Sequence, residues 1–211
     1  MKNRPIAPRY HLVLVTPEHE SMLQVFKDTG AYLQGHFRLT SGLHSPEYMQ
    51  CALVLQHPQY AEMLGRGLAA KLRDIEPMRN IDVVVSPAMG GLMIGHEVAR
   101  ALHARHVFTE RVDGKMTLRR GFSVKPGETA VVVEDVITTG GSSLEVVNLL
   151  KSAGVQVIGA ASIVDRSGGR ADLSVPRVSL LTMHIVAYNP ESCPLCLQGL
   201  PVVKPGSRPG A

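Results

Sequence analysis

No apolar run in this 211-residue chain approaches the length needed to cross a bilayer, so an integral helical membrane protein is not expected. The basic start Met1 to Tyr10 leads into His11-Leu12-Val13-Leu14-Val15, which is too short for a signal-peptide core. There is no internal repeat, no low-complexity stretch, no long basic run and no basic patch interleaved with aromatics, which argues against a solenoid, a disordered scaffold and a nucleic-acid-binding surface. Cysteine is scarce, with three residues, two of them in Cys193-Pro194-Leu195-Cys196. No Ser/His/Asp or Cys/His arrangement suggests a covalent nucleophile. What remains is a chain with 45% hydrophobic residues and a net charge of +4, enough for one folded domain and suited to phosphate-bearing small molecules. The expectation is a soluble, cytoplasmic protein.

The most informative segment is Ala130-Val131-Val132-Val133-Glu134-Asp135-Val136-Ile137-Thr138-Thr139-Gly140-Gly141-Ser142-Ser143. Its β-branched run is too continuous for a strand with one wet face and reads as a central parallel strand covered on both sides. Alternation along that strand sends Glu134 and Asp135 to opposite sides. Thr138, Thr139, Gly140, Gly141 and Ser142 then offer hydroxyls and closely spaced backbone N–H groups ahead of the apolar stretch Leu144 to Leu150, an anion cradle at a helix N-terminus. Carboxylates beside a phosphate repel it unless they hold hydroxyls or act through a divalent cation, so a sugar phosphate suits both features. The loop lacks the lysine of a Walker motif and the spacing of a dinucleotide-binding turn.

A coarse pass predicts helices at Pro17 to Thr29, Pro58 to Glu76, Gly91 to Ala104 and Gly141 to Ala153. Strands are predicted near 81–86, 106–110, 130–135, 157–164 and 180–187. This alternation predicts an α/β fold, a mostly parallel twisted sheet flanked by helices, with its site at the carboxyl ends of the strands. One domain is expected over 1–211, with a core at roughly 58–184 and a small hood at roughly 17–55 and 185–206.

The segment from Glu134 to Ser142 closely resembles the phosphoribosyl pyrophosphate (PRPP) motif of type I phosphoribosyltransferases. Three further strings resemble the orotate phosphoribosyltransferase family: Gly35 to Pro46 followed by Tyr48-Met49-Gln50, the loop Ser86-Pro87-Ala88-Met89-Gly90-Gly91 after Ile81 to Val85, and Ile163-Val164-Asp165-Arg166. The resemblance covers about residues 20 to 206. It implies transfer of the 5-phosphoribosyl group of PRPP to orotate, giving orotidine 5'-monophosphate and pyrophosphate on the route to UMP. Mg²⁺ would be the cofactor, held mainly by PRPP, with no protein side chain assigned as its ligand.

By the same resemblance, Glu134 to Ser142, including Val136 and Ile137, bind PRPP; Ser86 to Gly91 bind pyrophosphate; and Arg166, Thr138, Tyr48 and Met49 contact orotate. Glu134 and Asp135 would hold the ribose hydroxyls and favour the positive charge that gathers on the sugar, while N–H groups, Mg²⁺ and loop cations stabilise the departing pyrophosphate. A guanidinium fork such as that of Arg166 matches a planar carboxylate. Glu110 to Phe122, with Arg111, Lys115, Arg119 and Arg120, occupies the place of the family's mobile basic loop, a lid closing on pyrophosphate and shared across a homodimer; Arg111 and Lys115 are its candidate PRPP contacts, Lys115 also a catalytic candidate. Thr40 stands where the family's better-known pattern has lysine, Met89-Gly90 where it has Tyr-Lys, and the loop lacks its Lys-x-x-Lys-x-His arrangement. Cys193 and Cys196 are read as reduced structural thiols; a zinc site would need histidine or a second subunit. Among nine histidines, His36 and His44 flank the N-terminal signature and are the ones to watch.

Overall fold

A computed structural model describes residues 17–39, 41–77, 79–183 and 186–205 of the chain. The basic start, Thr40 of the N-terminal signature, and residues 184 and 185 of the last expected strand lie outside them.

Helix α1 (Pro17–Asp28) leads into an antiparallel hairpin, β1 (Tyr32–Arg38) and β2 (His44–Met49), which forms a two-stranded sheet of its own. After the short α2 (Cys51–Leu55), helix and strand alternate: α3 (Pro58–Arg73), β3 (Val83–Pro87), α4 (Gly91–Leu102), β4 (Arg105–Val112), β5 (Lys115–Leu118), β6 (Thr129–Ile137), α5 (Gly141–Ser152), β7 (Gln156–Asp165) and β8 (Arg177–Thr182). A 3₁₀ turn (Pro190–Ser192) and α6 (Pro194–Leu197) follow. The sheet runs β5-β4-β3-β6-β7-β8, parallel throughout except for β5, which pairs antiparallel with β4 at the edge. The expected α/β architecture is present, and each predicted core helix and strand has its counterpart within about three residues except the last strand, expected near 180–187 and found at Arg177–Thr182.

Period-two alternation explains how β-branched runs build two cores at once. On one face Val84, Val131, Val133 and Ile163 pack with Leu64, Leu68, Ile94 and Val98 from α3 and α4. On the other, Val83, Val85, Ala130 and Val132 pack with Val146, Val147 and Leu150 from α5. Every residue of β6 from Ala130 to Val133 is 0–1% exposed, so this strand has no wet face. The same alternation then carries Asp135 to the α4 side and Glu134 to the α5 side.

One expectation is corrected. The segment Glu110–Phe122 is not an irregular loop through its length: β4 extends to Val112, Asp113 and Gly114 turn with φ of 47° and 81°, and β5 returns along β4. Asp-Gly is the sequence signature of such a two-residue hairpin turn, and Met116, 8% exposed, anchors the returning strand in the α5-side core. The hairpin β1–β2 was likewise absent from the predicted strands, because Gly35, Ser45 and Pro46 break its β-like pattern.

Helices α3 and α4 cross so closely that a Cβ on Gly65 would lie 2.6 Å from Glu97 Cβ and 2.8 Å from its carbonyl carbon. Backbone cannot yield there as a flexible side-chain tip could. Gly65→Ala is expected to cost about 1–3 kcal/mol, seen as a fall in Tm of about 2–12 °C by calorimetry; an unchanged Tm would mean the helices separate freely.

Candidate active site

Strand β6 delivers two carboxylates to the carboxyl edge of the sheet in a half-buried, poorly solvated setting. Burial is the largest influence on both: it pushes Glu134 up to about 9, helped by the neighbouring charge of Asp135, and raises Asp135 as well. Asp135 Oδ1 accepts the Val136 N–H at 2.8 Å, which partly offsets its burial and leaves it the more readily ionised of the two. On the α4 side, Asp135 lies directly against the turn Ser86 to Gly91; a Cβ at Gly90 would sit 2.4 Å from Asp135 Oδ1, so only glycine lets this turn approach. Its Ala88–Met89 peptide is cis.

On the α5 side, Glu134 opens into a small concavity of about 70 Å³ lined by Val136 through Ser143. Gly140 adopts φ 81°, and a side chain there would also strike Leu173 Cδ2 at 2.7 Å, which accounts for glycine at this position twice over. No side chain caps α5, so the N–H groups of its first turn are available to an anion. Thr138 and Thr139, both exposed, also line a second and larger cleft of about 700 Å³, so the two concavities share a wall.

The larger cleft is also lined by Leu39, Ser41, Leu43, Tyr48, Arg166 and Arg170. Arg166 Cζ lies 5.9 Å from the centre of the Tyr48 ring. Its Nε is buried without a hydrogen-bond partner among the described residues, and burial lowers its pKa, as expected for a cation short of a counter-charge. The adjacent Asp165 does not supply one. It binds the guanidinium of Arg177 and accepts hydrogen bonds from Ser167 N at 2.7 Å and Ser167 Oγ at 2.6 Å. Arg166 is thereby left for the cleft, its backbone N–H fixed on Ile137 O at 2.8 Å.

Of the residues picked out from the sequence, Glu134, Val136, Ile137, Thr138, Thr139, Gly140, Gly141 and Ser142 converge on the small concavity, with Tyr48, Thr138 and Arg166 on the large one. Met49 does not reach either. One residue along β2 from Tyr48, it points the other way and is 2% exposed in the α3/α4-side core. Arg111 binds Glu145 of α5 at 2.7 Å and Arg120 binds Glu110 at 2.9 Å. Lys115 lines neither concavity. Arg170 was not among the residues picked out from the sequence, and Leu39, Ser41 and Leu43 were included only within the Gly35 to Pro46 string, with no contact assigned to them; for Arg170, a second arginine four residues past Arg166, behind Ser167-Gly168-Gly169, was an available signal. A third concavity, about 490 Å³ and lined by Arg66, Arg73, Arg100, Ala101 and His103, lies on α3 and α4 away from the strand ends. Arg66 and Arg100 are held there by Glu62 and Glu97, so it offers little unpaired charge.

The site can thus bind an anion on the α5 N-terminus, hydroxyls on two carboxylates, and a planar carboxylated group in the cleft that Tyr48 and Arg166 line. Comparison with known proteins points the same way. Residues 54–194 match the phosphoribosyl transferase domain family. The orotate phosphoribosyltransferase of Pelotomaculum thermopropionicum is 56% identical over 189 residues, covering 90% of this chain and 97% of that protein, and that of Chlorobium phaeobacteroides is 51% identical, covering 89% and 95%. Among solved structures, the orotate phosphoribosyltransferase from Aeropyrum pernix superposes with a TM-score of 0.64 at 27% identity, covering 77% of this chain and 93% of that one. Adenine phosphoribosyltransferase from Saccharomyces cerevisiae shares the fold, with a TM-score of 0.63 at 20% identity over 77% of this chain and 99% of that one.

The acid pair has a consequence for stability. Glu134 has a folded-state pKa of about 9, above its ordinary value of 4.5, so the folded state binds the extra proton and stability falls as pH rises through that interval. Glu134→Gln removes the titration. Without ligands, the variant is expected to melt several degrees above the wild type at pH 8, the gap closing toward pH 5. A gap that is constant with pH would show that Glu134 titrates normally.

Proposed function

This chain belongs to the phosphoribosyltransferase family, and within it to the orotate phosphoribosyltransferases; on that premise we propose that it transfers the 5-phosphoribosyl group of PRPP to orotate, forming orotidine 5'-monophosphate and pyrophosphate on the way to UMP. The observation that carries the base assignment is Arg166 Nε, buried, unpartnered and beside the Tyr48 ring. A planar pyrimidine carboxylate provides both a face for the tyrosine and a counter-charge for the guanidinium.

The geometry divides the work. The 5-phosphate binds the N–H groups and hydroxyls of Thr138 to Ser142, replacing water with fixed dipoles at the α5 N-terminus. Asp135, and Glu134 once a hydroxyl donor relieves its burial, hold the ribose hydroxyls and face the positive charge that develops at C1. Thr138 lies on the wall between phosphate and base and keeps C1 near the attacking ring nitrogen. No residue need bond covalently to the sugar, so positioning and preorganised charge account for the rate.

Mg²⁺ is the proposed cofactor. Carboxylate oxygens at 134 and 135 and the hydroxyls of the neighbouring loop are hard donors that suit it, and a cation would relieve the two buried acids, while most of its coordination would come from PRPP and water. When bound, it neutralises charge on the pyrophosphate leaving group. The remaining cations come from the β4–β5 hairpin. Because Lys115 lines neither concavity of its own chain, the proposed arrangement is a homodimer in which this hairpin closes over the partner's site. Cys51, Cys193 and Cys196 are not joined in disulfides, which suits the proposed cytoplasmic setting.

Purified protein with PRPP and Mg²⁺ is expected to consume orotate, followed by loss of its ultraviolet absorbance, and to leave adenine, hypoxanthine and uracil unchanged. Reaction with another base instead would reject the Arg166 pocket. Arg166→Ala, losing charge-assisted hydrogen bonds each worth about 1.5–3 kcal/mol, should lower kcat/KM for orotate by about tenfold to several hundredfold with little change in the KM for PRPP. Equal losses for both substrates would remove orotate recognition from Arg166. Asp135→Asn should lower kcat by about a hundredfold or more with the fold intact by circular dichroism. For the shared hairpin, inactive Asp135→Asn subunits mixed with Lys115→Ala subunits should regain one intact site per mixed dimer; absence of any regain counts against action in trans.

A further inference from the structure

Four potential metal ligands, far apart in sequence, meet in the hood. His36 on β1, His44 at the start of β2, and Cys193 and Cys196 around the first turn of α6 place one ligand atom each within 4.8 Å of all the others. It is the only grouping of this kind among the described residues that brings imidazole and thiol together. His36, His44 and Cys193 are 3%, 6% and 1% exposed, with Cys196 the most accessible of the four.

We propose that these residues form a closed tetrahedral site for a structural zinc ion, fastening the C-terminal segment to the β1–β2 hairpin. Zinc–sulfur bonds of about 2.3 Å and zinc–nitrogen bonds of about 2.0–2.1 Å, arranged tetrahedrally, set ligand-to-ligand edges of about 3.3 Å between nitrogens and about 3.5 Å between sulfur and nitrogen. The observed edges are 2.9 Å for His36 Nε2 to His44 Nδ1, 3.5 Å for Cys193 Sγ to His36 Nε2, 3.8 Å for Cys196 Sγ to His36 Nε2 and 3.3 Å for Cys196 Sγ to His44 Nδ1. These four of the six edges fall around those values, and the other two stay within 4.8 Å.

Hydrogen bonding alone accounts poorly for the cluster. His36 Nδ1 lies 2.8 Å from Leu200 O, which accepts but cannot donate, so Nδ1 carries the proton and Nε2 presents a lone pair. Three groups then converge on that one lone pair. A cation resolves the competition by taking a lone pair from each, and the bond from Nδ1–H to a backbone carbonyl is the outer contact that orients a ligating histidine. Two nitrogens with two sulfurs select zinc over the hard cations that suit PRPP, and four protein ligands leave no open position for catalysis.

The surrounding backbone is built to the same purpose. His44 exchanges hydrogen bonds with Tyr188, N to O at 2.9 Å and O from N at 2.7 Å, while Val203 donates to His36 O and accepts from Arg38 N, both at 2.8 Å. A bulge in the β1–β2 register between Gln34 and Phe37 buries the successive residues His36 and Phe37, where plain alternation would expose one. The loop between the two histidines carries Leu39, Ser41 and Leu43 to the larger cleft, so the fastening lies at the base of the cleft's roof.

The test is metal content, independent of catalysis. Protein purified without chelators from zinc-supplemented cells is expected to carry about one zinc per chain by atomic emission. After exchange it should bind Co²⁺ with a thiolate-to-cobalt charge-transfer band and tetrahedral d–d absorption. Cys196→Ser, at the most exposed ligand, should fall below about a tenth of a zinc per chain, lose the charge-transfer band of its thiolate and melt at lower temperature. Wild-type protein without zinc that also gives no thiolate–cobalt band overturns the proposal, as does an intact Cys193–Cys196 disulfide in the purified chain, or a Cys196→Ser protein that keeps its zinc and an unchanged cobalt spectrum. Should that variant not fold, the wild-type metal content and cobalt spectrum decide alone.

Discussion

Two carboxylates held where water is scarce set the terms for the rest of the site. Glu134 and Asp135 reach that setting because β6 is buried on both faces for the four residues before them, so the strand cannot end in solvent without first crossing the helix layers. Burial raises both pKa values, and the local compensation is the Val136 N–H and whatever proton the two share. Such a pair is poorly satisfied on its own and well satisfied by a polyol, whose hydroxyls donate to both acids. It is better satisfied still by a sugar that gains positive charge as its C1 bond loosens. The same desolvation that costs stability in the empty protein therefore becomes attraction that grows toward the transition state.

Alternation along the strands then assigns each neighbouring group its side. Asp135 meets the Ser86 to Gly91 turn at the head of α4, and Glu134 meets the phosphate cradle at the head of α5, so the leaving group and the 5-phosphate can be bound on opposite sides of β6. One strand over, Asp165 turns inward to Arg177 and the Ser167 turn, which leaves Arg166 facing the cleft without a counter-charge among the described residues. A buried ion pair at one position is thus what keeps the next side chain open to the cleft. Had Asp165 paired with its neighbour, Arg166 would bring no uncompensated charge to the cleft.

The parts of this arrangement that follow from local pattern were legible in the sequence. The run from Val131 to Ser142 gave strand, acids, cradle and helix because each depends on residues within a few positions of one another, and the same holds for Arg166 at the end of β7. What was not legible depends on contacts distant in sequence. Met49 was grouped with Tyr48 by the family resemblance, although period two must separate their side chains. The pairing of Arg111 with Glu145 joins residues 34 apart, and that of Arg105 with Glu128 joins residues 23 apart. The β4–β5 hairpin hid behind the density of charge around an Asp-Gly turn that is itself a hairpin signal.

Cys193 and Cys196 show the same limit most sharply. Read along the chain they lack partners, since the histidines that complete the cluster lie 149 residues or more away. Two-stranded ribbons are marginal by themselves in water, and β1–β2 joins no strand of the main sheet. It is held from the core side by Met49 and from the other by the segment that bridges to it through Tyr188 and Val203. That dependence reaches the chemistry because Tyr48 stands on β2 and Leu39, Ser41 and Leu43 on the loop between its strands, all facing Arg166 across the cleft. The sheet fixes the half of the site that handles phosphate and sugar. On the proposed reading, the half that selects the base is carried by a ribbon held by the core through Met49 and by the far end of the chain through Tyr188 and Val203, so a change near residue 193 would reach base binding without touching a residue of the cleft.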